Sequence, residues 1–147
     1  MHIEGEKRFA AAQEDVYRAL TDPHELGAAF STIEHIEGDG TDWIVVVRPP
    51  LRGGFRLKFS VRFDDLREPE HGRFRAWGKS LGGRISVDST FDLMPLEDGT
   101  LMRWSADVDA AGLFSGLGRQ SLAAVATRQA DRALGRIARN LERAPAG

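Results

Sequence analysis

Four histidines, His2, His24, His35 and His71, are the side chains of this 147-residue sequence best suited to moving protons or holding a metal near neutral pH. Acid–base work needs a carboxylate or nucleophile beside the ring, and none of the four has one at a recognisable spacing along the chain. They fall on the polar side of an N-terminal strand, at a helix start, in a strand and in a turn, and are read as surface residues. There is no cysteine and no His-x-x-x-His pair, so no metal site is expected. Asp64 and Asp65 adjoin, but neighbours in a strand point to opposite faces and cannot act as paired carboxylates. The glycine-rich stretch "AGLFSGLGRQSLAAV", Ala111 to Val125, is a poor phosphate loop. Five residues separate Gly112 from Gly118, and Arg119 and Gln120 stand where such a loop needs Lys and Ser or Thr. The expectation is a chain without catalytic residues, metal ligands or a cofactor.

The arginines are arranged differently. Arg128, Arg132, Arg136, Arg139 and Arg143 step by four, four, three and four, which lines them along one side of a helix. Net charge is only −2, yet residues 113–147 carry six arginines against Asp131 and Glu142, so residues 1–112 carry −6. The stripe reads either as a solvated face or as a contact for an acidic protein partner or an anionic membrane surface. No aromatic residues interleave with it, so nucleic acid is not expected. The first residues, "MHIEGEKRF", contain no apolar signal region, and the absence of cysteine fits a reducing compartment. The expected location is cytoplasmic, with peripheral membrane contact as the extension.

Elements that must position these residues follow from hydrophobic period. His2 to Phe9 alternate as a strand, and Val16, Ala19 and Leu20 mark one face of a short helix. "TDPHEL" starts a second helix, with Asp22 as N-cap, Pro23 at the first helical position and Glu25 at capping-box spacing. Six alternating runs follow, "STIEHIE", "TDWIVVV", "FRLKFSVRF", "RFRAWGKSLGG", "RISVDSTFDL" and "LMRWSADVDA", separated by turn signals and with no helix between them. They form a hairpin series. From Leu117 the period becomes helical, with Leu122, Ala126, Ala130, Ala133, Ile137 and Leu141 at steps of three and four, flanked by Val125 and Leu134. The fold class is α+β: one domain over residues 1–143 and a loose tail over 144–147.

This order, together with "DVYRALTDPHEL", "PLEDGTLMRWSADVDAAG" and "LFSGLGRQSLAAVATRQADRALGRI", resembles the helix-grip (START-like, SRPBCC) superfamily and, within it, the CoxG family of carbon monoxide dehydrogenase subunits. The resemblance runs from about His2 to Arg143. One local departure is "FSTIEHIE", where relatives usually carry a Pro-Gly pair after the second helix. The resemblance implies a curved seven-stranded antiparallel sheet around a long C-terminal helix, two short helices between strands 1 and 2, and a cavity for an apolar or amphipathic molecule. CoxG-like members are associated with maturation or membrane attachment of molybdenum hydroxylases. Other superfamily members are polyketide cyclases, lipid carriers and hormone receptors, so fold alone does not choose among them.

The interior can be read in two ways. Trp43, Phe55, Phe59, Phe91 and Trp104 face inward from the strands, while Leu122, Val125, Ala126, Ala130 and Ala133 face them from the helix. Either the large wall and the small wall leave a space, or the aromatics fill it to normal density. Ser89 and Gln129 are the inward polar residues expected to orient a ligand or to bind backbone or buried water. Gly112, Gly116 and Gly118 form either a plain connector or a hinged gate, with Leu113, Phe114 and Leu117 as its apolar lip. The expected function is binding of an isoprenoid, quinone or acyl chain by a non-catalytic accessory or carrier of an oxidoreductase complex. The alternatives are a cyclase or hydratase, and an interaction module with a filled core and a basic helix face.

Overall fold

A computed structural model describes residues 1–48, 56–80, 82–112 and 119–143. It contains strand β1 (His2–Phe9), helices α1 (Gln13–Thr21) and α2 (Pro23–Ala29), strands β2 (Ile33–Asp39), β3 (Asp42–Val47), β4 (Leu57–Arg67), β5 (His71–Ser80), β6 (Gly83–Leu96) and β7 (Gly99–Gly112), and helix α3 (Arg119–Arg143). The strands form one antiparallel sheet in the order β1-β7-β6-β5-β4-β3-β2. This is the expected α+β helix-grip topology. β4, β6 and β7 each extend beyond the limits expected from sequence, β4 running through Asp64 and Asp65 to Arg67. α3 is described from Arg119, and the expected gate over residues 113–118 and the tail over 144–147 lie outside the described residues.

β1 and β2 are consecutive strands placed at opposite edges of the sheet, so the segment joining them must cross its full width. α1 and α2 make that crossing. Val16, Tyr17, Ala19 and Leu20 on one side of α1 are buried against Phe9, Phe91, Leu93 and Met102. Tyr17 lies 6.1 Å from Phe91, ring centre to ring centre, and burial raises its phenol pKa, with Glu68 adding to the effect. Gln13 donates from Nε2 to the Leu93 carbonyl at 3.1 Å, tying the start of α1 to β6.

Asp22 joins the two helices. Its carboxylate accepts from the backbone N–H groups of His24 and Glu25 at 3.0 and 3.3 Å, satisfying the first turn of α2. Its own N–H donates to Arg18 O at 2.9 Å and closes α1. The reciprocal half of the capping box, a Glu25 carboxylate on the Asp22 N–H, is therefore not made: that donor is already engaged.

The solid core is eccentric. Ala133, Leu134, Ile137 and Ala138 from the second half of α3 pack with α1, β1, β6 and β7, and Ile137 is fully buried. Val45, Leu57 and Phe63 are buried too, but they stand apart from that cluster, toward the β2 side of the sheet. The outer face carries cross-strand ion pairs, as its alternation of charged residues requires. Arg62 meets Asp42 at 2.8 Å, Arg73 holds Asp88 through two bonds of 2.8 and 2.5 Å, and Arg75 meets Asp64. The hydrogen bonds from Arg75 and Arg73 hold the Asp64 and Asp88 carboxyls below the usual carboxylate range.

Asp22→Ala should cost about 1 kcal/mol in urea unfolding, because it leaves first-turn donors of α2 without their acceptor, whereas Asp22→Asn should retain most of that stability. Equal midpoints for wild type and Asp22→Ala would show that the cap does not hold the helix pair.

Candidate functional site

Between the inner face of the sheet, α2 and the middle of α3 lies a cavity of about 340 Å³. That volume is within the range of small-molecule sites, toward its lower end. α3 contributes Ala126, Gln129, Ala130, Ala133 and Leu134, a stripe with the period of a helix. The small side chains of that stripe keep the helix wall shallow. Pro23, Leu26 and Gly27 of α2 close one end, again at helical spacing, followed by Phe30, Thr32, Ile33 and Ile36. The segment "FSTIEHIE" is thus cavity wall rather than an ordinary connector.

Of the residues expected at this site, Trp43, Phe59, Ser89, Phe91, Trp104, Ala126, Gln129, Ala130 and Ala133 come together in the lining. Phe55 and Leu117 lie outside the described residues. Leu122 and Val125 are half-buried and are not in the lining. For Val125 the reason is angular: it stands seven residues before Arg132, close to two helical turns, and so shares the arginine side of α3. Leu122 lies one turn nearer the start of the helix than Ala126. Thr32 is a polar lining residue that sequence reasoning missed, and no periodic signal marks it. Phe74 and Ala76 of β5 were also missed, although their alternation along the strand was visible.

The aromatic residues do not fill the space, and the sheet register explains why. Trp104 pairs across strands with Gly5, Phe91 with Gly72, Phe59 with Gly78 and Trp43 with Gly38. Each ring lies against the bare backbone of its glycine. A Cβ on Gly5 would meet three Trp104 ring atoms at 2.9 Å, and one on Gly72 would meet Phe91 Cζ at 2.5 Å. Laid down in this way, the rings form a wall instead of a plug. Trp43 is fixed further by donating Nε1–H to Gly40 O at 2.9 Å, and its ring packs edge-on to His24 with centres 5.1 Å apart.

The polar side chains of the lining are Thr32, Ser89 and Gln129, and the described lining contains no charged or acid–base group. Ser89 is buried and donates to Ser105 O at 3.0 Å. Its hydroxyl proton is thereby committed to the backbone. Gln129 makes no side-chain hydrogen bond to a described residue.

The histidines need a correction. Spacing along the chain offers His71 no carboxylate partner, but sheet register brings Asp92 to 2.8 Å from Nδ1, and the β4 irregularity brings Asp65 to 3.2 Å from Nε2. Asp65 takes φ 46° there, while Asp64 turns to Arg75. The His71 side chain is only 14 % exposed. Both ring nitrogens face carboxylates of neighbouring strand positions, so the ring is held by Asp65 and Asp92. His2 likewise sits between Asp107 and Glu4, which raise its pKa by hydrogen bonding. Neither histidine is in the cavity lining.

All five arginines of the α3 stripe are exposed. Arg136 donates from Nη1 to Ala29 O at 3.3 Å and so secures the end of α2. Arg128, Arg132, Arg139 and Arg143 make no ion pair with a described residue, Asp131 and Glu142 included. Gly112 takes φ +71°, a conformation that favours glycine, and a Cβ there would collide with the Gly82 carbonyl.

Residues 5–142 match the family of the carbon monoxide dehydrogenase subunit known as CoxG. Among curated proteins, none is similar in sequence at a significant level. A conserved protein from Geobacillus kaustophilus has the same fold with a TM-score of 0.89 at 17% identity, over 97% of this chain and 95% of its own. A protein from Thermus thermophilus gives 0.79 at 17%, over 99% and 100%. A START superfamily protein from Mycobacterium smegmatis gives 0.73 at 13%, over 96% and 97%.

Gly72→Ala should destabilise the protein by about 1–3 kcal/mol in urea unfolding, because Phe91 must leave its place for the new methyl group. Gly135→Ala, in an α3 position where the new methyl would come no closer than 3.5 Å to an Arg139 side-chain nitrogen, should instead stabilise by about 0.5–1 kcal/mol. A neutral Gly72→Ala would mean that the ring does not depend on the glycine.

Proposed function

Because the chain belongs to the CoxG family of carbon monoxide dehydrogenase subunits, with residues 5–142 matched, we propose that it binds an apolar small molecule between sheet and helix and serves an oxidoreductase complex as a non-catalytic accessory or carrier. The observation that carries this reading is the cavity of about 340 Å³ with an almost wholly apolar lining. Hydrocarbon surface buried there leaves water at a gain of about 25 cal/mol per Å². A sugar or nucleotide would instead bury polar groups that the walls cannot pair. An isoprenoid, a quinone or an acyl chain has the required chemistry. A cyclase or hydratase would need an acid and a base facing the bound molecule, and the described lining supplies neither.

A second contact is supported by the four arginines of α3 that have no ion-pair partner among the described residues. They suit an acidic protein partner or an anionic membrane surface, to which the carrier would present its load. Replacing Arg128, Arg132 and Arg139 together with Gln should weaken such an attachment and its salt dependence while leaving the urea midpoint unchanged, since exposed charges contribute little to stability. Sedimentation with phosphatidylserine-containing vesicles checks the membrane version. Equal binding of wild type and triple variant at low salt removes it.

Ala130→Phe tests the cavity itself. The new ring should occupy empty space, abolishing the fluorescence gain of the neutral probe N-phenyl-1-naphthylamine at little cost in stability. In a dense interior the same change would destabilise by about 1–3 kcal/mol. Probe binding retained by Ala130→Phe, or no binding by the wild type, would overturn the carrier reading.

A further inference from the structure

The lining has a polarity that goes beyond being apolar. Of its three polar side chains, Ser89 is engaged with the Ser105 carbonyl. Gln129 on α3 and Thr32 after α2 make no side-chain hydrogen bond to a described residue, and both are half-buried. Neither side chain is fully enclosed, so water can meet the amide, and a ligand group that displaces this water must replace its hydrogen bonds or lose affinity. The charge of that group is decided by what surrounds it. No Asp, Glu, His, Lys, Arg or Tyr is in the described lining from sheet, α2 or α3. Arg128 and Arg132 are exposed and outside the lining, Arg136 is engaged with the Ala29 carbonyl, and His24 packs against the Trp43 ring without entering the lining. A carboxylate or phosphate drawn inside would be desolvated with no cation to meet it.

We propose that the cavity selects a neutral headgroup, a ketone, quinone carbonyl, alcohol or ester, over an anionic one, and that Gln129 is the residue that recognises it. The carboxamide offers two N–H donors and a carbonyl acceptor, so it can meet a ligand carbonyl or hydroxyl equally well. This inference rests on the carrier reading above and narrows the ligands that reading admits: a fatty acid enters only in its protonated form.

Matched twelve-carbon probes make the test, displacing N-phenyl-1-naphthylamine from the full chain. At pH 8 dodecan-2-one should bind at least about tenfold more tightly than dodecanoate, which would have to leave a charge unpaired. Between pH 8 and pH 5 the affinity for dodecanoate should rise while that for the ketone stays constant, because an apolar site favours the neutral acid. Gln129→Leu should weaken dodecan-2-one by about two- to tenfold and leave dodecane unchanged or improved. Circular dichroism confirms that the variant is folded. Tighter or equal binding of dodecanoate at pH 8, or a ketone-to-alkane ratio unmoved by Gln129→Leu, overturns the proposal while leaving a working cavity. Failure of dodecane and the fluorescent probe alike would sink the carrier reading itself.

Discussion

An aromatic ring lying flat on a glycine of the next strand is the contact on which this interior depends. In most cores, rings this large would interdigitate across the layer and bring the packing to crystal-like density. Here the pairs Trp104–Gly5, Phe91–Gly72, Phe59–Gly78 and Trp43–Gly38 take the rings sideways, along the sheet. Their apolar area is still buried, but against backbone rather than against the helix. The helix answers with Ala126, Ala130 and Ala133, which do not reach into the vacated space. Neither half of the arrangement is enough alone: upright rings would close the cavity from one side, and leucines on α3 would close it from the other.

That arrangement has a stability consequence that the rest of the molecule meets. A chain of this length needs a continuous apolar cluster, and a void in the middle of it forfeits dispersion contacts. The two adjoin. Phe9, Val16, Tyr17, Leu93, Ile137 and Ala138 form a packed region outside the lining, while Leu20, Phe91, Met102, Trp104, Ala133 and Leu134 belong to both the packed cluster and the cavity wall. One helix thus performs two tasks along its length. Asp22 and Arg136 connect the regions, the first by terminating α1 and starting α2, the second by holding the end of α2 to α3.

The periodicity of the sequence was sufficient for the strands, the order of elements and the face of each strand, because alternation and helical repeat are local properties of the chain. Phe59, Phe91, Trp104 and Ala130 were legible as lining for the same reason. What was not legible is set by pairing between distant segments. The register that puts Gly72 under Phe91, or Asp92 beside His71, is a relation between strands about twenty residues apart, and no local pattern encodes it. Thr32 lies between α2 and β2, where no period applies. Val125 differs from these: the helical repeat that moves it to the arginine side is local, but an apolar residue next to an apolar stripe reads as part of that stripe.

The eccentric core also divides the molecule by its resistance to fluctuation. Local opening costs least where few apolar contacts must be broken. β2 is an edge strand with mostly exposed side chains, and with β3 it stands outside the packed cluster, whereas β1, β6, β7 and the second half of α3 lie within it. The β2–β3 margin is therefore the border of the sheet whose local opening would break the fewest contacts of the packed cluster, and it is also a border of the cavity wall.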